Sequence, residues 1–190
     1  MKKLVVVLIV LFTAVQISAQ DISFTRTGSS NLNRFYVDLH SKAATLNGSW
    51  GLFAGARAGY NIDEHISVGL VGNGLIPVEL GNSYINRDGR DTLYTGYCGI
   101  EGIYKYDLSD KFYLAGMMMI GAGRVEYEKL GGNDYFFIME PGASINYRIT
   151  DWFGLGYSVN YRIASGVKYS DFSNASFSGW STDISFKFGF

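Results

Sequence analysis

His65-Ile66-Ser67 is the segment of this 190-residue sequence whose residue types and spacing come nearest to chemistry. In an extended chain residues two apart share a face, so the imidazole would stand beside a hydroxyl it could activate as a nucleophile. Other candidates are weaker. Two histidines, His40 and His65, and one cysteine, Cys98, fall on separate segments and make no metal-ligand spacing. The glycine-rich stretch 69–74 lacks both the following helix and the lysine of a phosphate-binding loop. Met117-Met118-Met119 reads as packing and lipid contact. The expectation is no catalytic, cofactor or metal site.

The elements that would position these residues are strands. Alternation of apolar with polar or small residues is the mark of a strand with two different faces. At the C-terminal end Trp180, Thr182, Ile184, Phe186, Phe188 and Phe190 share one face, and Ser181, Asp183, Ser185, Lys187 and Gly189 the other. The same parity predicts strands over 153–168, 135–149, 112–127, 93–106, 65–78, 50–61 and, most faintly, 34–42. In 112–127 the set Tyr113, Ala115, Met117, Met119, Val125 and Tyr127 is expected outside, opposite Arg124 and Glu126. Short turns are predicted at 61–64, 108–111 and 150–152, and longer links at 41–49, 79–91, 129–134 and 168–178. Eight strands with alternating short and long connections fit an eight-stranded antiparallel transmembrane β-barrel, an all-β fold. Short turns and both termini would then lie on the periplasmic side.

The N-terminus supports export. Lys2 and Lys3 precede an apolar run from Leu4 to Val15, and Ser18, Ala19 and Gln20 follow. This is the pattern of a secretory signal peptide, with cleavage expected after Ala19. Domains are therefore read as 1–19, signal peptide, and 20–190, β-barrel. Loss of two lysines and no acids takes the net charge from −1 to −3, which excludes a strongly basic nucleic-acid binder. A lone cysteine makes no intramolecular disulfide, so something else must hold an exported fold, and a closed hydrogen-bonded barrel does so. A soluble lipocalin-like barrel would instead turn its apolar face inward around a ligand.

Aromatic spacing adds a measurement. Trp50 and Tyr60, Tyr94 and Tyr104, and Trp180 and Phe190 are each ten positions apart with the same parity. Ten residues of tilted strand rise roughly 25 Å, the height of the apolar band that aromatic girdles bracket. The inward set includes Arg57, Glu101, Lys105, Arg124, Glu140 and Arg162, with Arg148 and Lys187. An eight-stranded barrel has room only for side chains, and buried charges must pair. A structural plug is expected, with Glu140 between Arg124 and Arg162, and with His65 and Ser67 as a hydrogen-bonding pair inside the lumen.

Four resemblances follow from motifs. Phe186-Lys187-Phe188-Gly189-Phe190 resembles the terminal signal of outer-membrane barrels, which implies the barrel-assembly machinery as a partner during biogenesis. The run Asn47 to Tyr60 (NGSWGLFAGARAGY), with Glu140-Pro141-Gly142-Ala143, resembles small outer-membrane β-barrel proteins of Bacteroidetes-type bacteria, a porin-like fold described by architecture more than by activity. The motif His65-Ile66-Ser67 is similar to the His-x-Ser of an outer-membrane lipid A deacylase, but it continues Val68-Gly69 rather than a small polar run. Asp91-Thr92-Leu93 resembles a short O-glycosylation motif of Bacteroidetes surface proteins. Together these imply a non-enzymatic barrel of the bacterial outer membrane, in contact with lipid and lipopolysaccharide. Mixed-charge loops (Glu79, Arg87, Asp88, Arg90, Asp91) would meet a surface partner. The alternatives are a lipid-modifying barrel enzyme and a narrow channel for small solutes.

Overall fold

The computed structural model describes residues 34–76, 86–87, 91–129 and 131–189. Eight long strands are β1 (Phe35–Leu46), β2 (Ser49–Asn61), β3 (Ile66–Ile76), β4 (Asp91–Asp107), β5 (Phe112–Tyr127), β6 (Asp134–Arg148), β7 (Phe153–Ser165) and β8 (Gly179–Phe188). Each pairs antiparallel with its sequence neighbours, and β1 pairs with β8, so the sheet closes on itself. A two-residue strand segment, Asn86–Arg87, pairs antiparallel with Asp91 and Thr92 at the start of β4. One short helix, α1 (Asn174–Phe177), lies between β7 and β8. No helix among the described residues is long and apolar enough to cross a membrane, which says nothing about strands.

Alternation drives this architecture. In β1 exposed Phe35, Val37 and Leu39 interleave with buried Tyr36, Asp38, His40 and Lys42. Following the registers round the barrel returns to β1 displaced by about ten residues, which for eight strands means a tilt of about 40° and an interior that side chains fill. Gly55 shows how tight this interior is. It sits opposite His40 in the register, and a Cβ there would collide with the His40 ring and the Asn73 amide.

One end of the barrel carries three turns built alike. In each, the N–H groups of the first two turn residues donate to a single carbonyl: Ile62 and Asp63 to Ile66, Leu108 and Ser109 to Phe112, Ile149 and Thr150 to Phe153. The second residue then uses its side chain as an acceptor. Asp63 takes the N–H of His65 (2.7 Å) and of Ile66 (2.6 Å), Ser109 that of Phe112 (3.1 Å), and Thr150 that of Phe153 (3.0 Å). Those two N–H bonds hold the Asp63 carboxyl below the usual carboxylate range. The start of β1 and the end of β8 lie at this turn end; the longer links lie at the other, the loop end.

The structure corrects several expected boundaries. The link expected at 41–49 shrinks to Asn47–Gly48, because β1 continues its alternation to Leu46. With φ of 48° and 79°, these two residues form the left-handed hairpin turn that Asn-Gly favours. The strand expected over 153–168 ends at Ser165; Gly166, at φ 89°, breaks the parity and turns Val167 inward and Lys168 outward. The signal segment 1–19, most of the 79–91 link and Phe190 lie outside the described residues.

Gly48 has open space around a would-be Cβ but a φ that L-residues avoid. Gly48→Ala should therefore lower stability by about 1–2 kcal/mol, read as an earlier urea midpoint of the refolded barrel. Asn47→Gly should leave that midpoint nearly unchanged.

Candidate functional site

The centre of the lumen is a charge network assembled by register. Asp38 on β1 stands opposite Lys187 on β8 and Arg57 on β2. Its carboxylate is 2.8 Å from Lys187 Nζ and 3.2 Å from the Arg57 guanidinium. Arg57 Nε lies 3.0 Å from Glu101 on β4, and its Nη2 3.7 Å from Asp183 on β8. Lys42 on β1 reaches across the barrel to pair with Glu140 on β6 and lies 4.0 Å from Asp183. The Tyr97 hydroxyl donates to Glu140 (2.9 Å), and Asn160 donates to Asp183 (3.0 Å). His40 is enclosed between Asp38 Oδ1 (3.1 Å) and Asn73 Oδ1 (2.8 Å). Charged side chains of five strands thereby meet in the lumen, with Asn73 of β3 and Asn160 of β7 bonded to them.

The two ends differ. Toward the loop end the lumen becomes apolar, with Phe53, Val71, Leu75, Val125, Phe136 and Ile138 in one buried cluster. The 166–178 segment roofs it. Phe177 packs on Phe136 (ring centroids 4.8 Å) and on Phe172 (5.2 Å), and Tyr169 and Phe172 pack on Tyr127. Arg162 lies directly beneath, donating to the main-chain carbonyls of Phe177 (2.5 Å) and Thr45 (2.7 Å). Toward the turn end Lys105 donates to Asn61 Oδ1 (2.9 Å), which also accepts from Ser67 (2.6 Å). A cavity of about 20 Å³ there, between Tyr36, Tyr113, Lys105 and Lys187, has room for one water.

Arg57, Glu101, Lys105, Glu140 and Arg162 all point into the barrel and are buried. Arg124 does not. Its side chain is 48% exposed on the outer face, paired with Glu126 and lying over the Tyr135 ring. β5 has the reverse orientation to the one expected: Tyr113, Ala115, Met117, Met119, Val125 and Tyr127 are inside. Both faces of this strand are apolar through its middle, so alternation carries no sign of which faces in; the apolar upper lumen decides it. Glu140 consequently meets Lys42 and Tyr97 rather than Arg124. Arg162 is opposite Glu140 by register, but its guanidinium extends to the roof.

His65 and Ser67 also part company. His65 is exposed in the 62–65 turn, 6.1 Å from the Tyr104 ring, while Ser67 is buried against Asn61. The expected lumen pair is not formed, because β3 begins at Ile66 and His65 precedes its pleat. Trp50, Tyr94 and Trp180 project outward near the loop end, Tyr104 outward near the turn end, and Tyr60 is half-buried there against Phe35 and Arg34. The network members not singled out beforehand are Asp38, His40, Lys42 and Asp183. Their signal was present as inward parity on β1 and β8. No group of three or more metal-ligating side chains occurs among the described residues.

No protein-family model matches the chain, and a search of curated proteins found no relative. Solved structures do match in fold. Neisserial surface protein A is 15% identical, with a TM-score of 0.65 over 86% of this chain and 99% of that one. The N-terminal β-barrel domain of Pseudomonas aeruginosa OprF is 11% identical, with a TM-score of 0.59 over 84% and 98%. Ail, the attachment invasion locus protein of Yersinia pestis, in complex with a heparin analogue, is 9% identical, with a TM-score of 0.51 over 82% and 95%. The fold is that of small eight-stranded outer-membrane β-barrels.

Removing one partner of the Lys42–Glu140 pair strands a buried charge. Glu140→Ala should cost about 3–5 kcal/mol, whereas Lys42→Met with Glu140→Met should cost far less than either single change. Arg124→Ala should fall within about 0.5 kcal/mol of wild type, as for an exposed residue. Urea titrations of the folded barrel measure all three.

Proposed function

We propose that this chain is exported by a cleaved signal peptide, residues 1–19, and that residues 20–190 form an integral barrel of a bacterial outer membrane. In this reading both termini are periplasmic, and the protein is a non-enzymatic element that displays its loop end to the outside. The observation carrying it is the inversion of surface and core. Leu70 and Ile100 are each 67% exposed, side by side on the outer face, while Asp38, Arg57 and Glu101 are buried within. In water such an outer face would be strongly unfavourable, and a contiguous apolar surface marks a membrane or partner site. Aromatic residues bracket it, as interfacial girdles do.

A closed, ion-paired lumen favours a structural or surface-interaction role over a solute channel. A lipid-acting enzyme would need its base and nucleophile together on the outer face. The exposed His65 and the buried Ser67 give no such pair. Lipid and lipopolysaccharide are the contacts proposed for the outer face, the barrel-assembly machinery the partner during biogenesis, and a surface partner the target of the loops.

The full chain should fractionate with outer membranes, migrate differently on gels before and after heating, and give no steady conductance in planar bilayers. Leu70→Arg, in the middle of the apolar band, should lower stability by about 2–4 kcal/mol in lipid. A near-neutral Leu70→Arg would contradict the membrane placement, and a steady single-channel current would overturn the closed lumen.

A further inference from the structure

We propose that the loop-end half of the lumen is a binding site for a single-chain anionic amphiphile. Its head group would sit on Arg162, and its alkyl chain would take the space that the 166–178 segment fills with its own side chains. The argument begins with charge. Lys42, Arg57, Lys105, Arg162 and Lys187 face Asp38, Glu101, Glu140 and Asp183 inside the barrel, five cations to four carboxylates. Lys42, Arg57 and Lys187 each meet a carboxylate, and Lys105 donates to Asn61 Oδ1 toward the turn end, whereas Arg162 lies at the apolar loop end. It is 2% exposed, and no carboxylate of a described residue lies within ion-pair distance of it. A buried guanidinium left to neutral acceptors is incompletely compensated.

What holds Arg162 instead is provisional in kind. Two main-chain carbonyls, of Phe177 and Thr45, accept from it, and the rings of Phe53 and Tyr97 each lie 5.5 Å from its centre. A carboxylate replacing the Phe177 carbonyl would bring a full charge and a second oxygen matched to the planar fork of the guanidinium. Thr45 belongs to β1 and would stay in place, while Phe177 belongs to the roof.

For the site to open, the roof must lift. Glycines in left-handed or extreme conformations bound it, Gly166 at φ 89° and Gly179 at φ 150°. Its inward groups include the rings of Tyr169, Phe172 and Phe177, which rest on Tyr127 and Phe136, and the Tyr169 hydroxyl accepts from Tyr127 N–H (3.0 Å). Among its bonds to the rim are Asn47 N–H to Ser176 O (2.7 Å) and Ala164 N–H to Ser178 Oγ (3.0 Å). Lifting it would expose Phe53, Val71, Leu75, Val125 and Ile138 above Arg162, an apolar wall with a cation at its floor. A bare anion would leave that wall wet, and a neutral hydrocarbon would leave the cation unmatched. An amphiphile with an anionic head satisfies both.

The inference rests on the membrane reading only for its setting, so the test uses the full mature chain in lipid nanodiscs with empty nanodiscs as the blank. Decanoate is titrated by calorimetry, with decanol and acetate as comparisons. Decanoate should bind saturably at one per barrel, at least about tenfold tighter than decanol, and Arg162→Gln should remove at least that factor. Phe177→Gly, which empties the roof, should tighten decanoate several-fold. Heat-modifiable mobility of the same discs, which reports the membrane reading, should be unchanged in every arm, so loss of binding and loss of the barrel are read separately. Equal affinity for decanoate and decanol, undiminished binding by Arg162→Gln, or no saturable heat from either wild type or Phe177→Gly would each overturn the site.

Discussion

The seam between β1 and β8 is the contact on which everything else rests. An eight-stranded sheet left open would carry two rows of unpaired N–H and C=O groups, and in hydrocarbon each unsatisfied group costs several kcal/mol. The seam removes both rows through the pairs Val37↔Phe188 to Ala44↔Ser181. It also carries two charge-complementary pairs at register, Asp38↔Lys187 and Lys42↔Asp183. A slip of one residue would turn the two charges of one strand outward onto the apolar face.

The same network fills the centre of the lumen. Eight strands at this tilt enclose a space only a few side chains wide. Long charged groups from β1, β2, β4, β6 and β8 meet there, with Tyr97 donating to Glu140 and Asn160 to Asp183. A buried ion pair adds little net stability over an apolar filling. Its effect here is on uniqueness, because inner and outer faces of the sheet become chemically different. Toward the loop end that difference fades, since both faces are apolar. There the register is held by the Asn47–Gly48 turn and by the 166–178 segment packed over the mouth.

Local pattern made much of this legible. Parity located all eight strands, and it put Arg57, Glu101, Lys105, Glu140 and Arg162 on faces that turn out to be interior. It failed on β5, where Leu114, Met118 and Ile120 on one face match Tyr113, Met117 and Met119 on the other. Alternation separates two faces but does not say which is inside when both are apolar. It also failed on partners. Glu140 and Lys42 are ninety-eight residues apart, and their meeting depends on opposite walls of a closed cylinder. Extrapolating from adjacent hairpins led instead to Arg124, which stands opposite Tyr135, five residues from Glu140, and points outside.

The amino-acid sequence by itself determined the strand periodicity, the three polar-capped turns and the Asn-Gly hairpin, because each rests on interactions between residues close along the chain. Tertiary structure alone decided which face of β5 looks inward, which carboxylate answers Lys42, and why Arg162 ends beneath aromatic rings without an acid. Those outcomes follow from closure. Only when β1 meets β8 do distant walls approach, and only then does the space available choose among the pairings that local pattern leaves open.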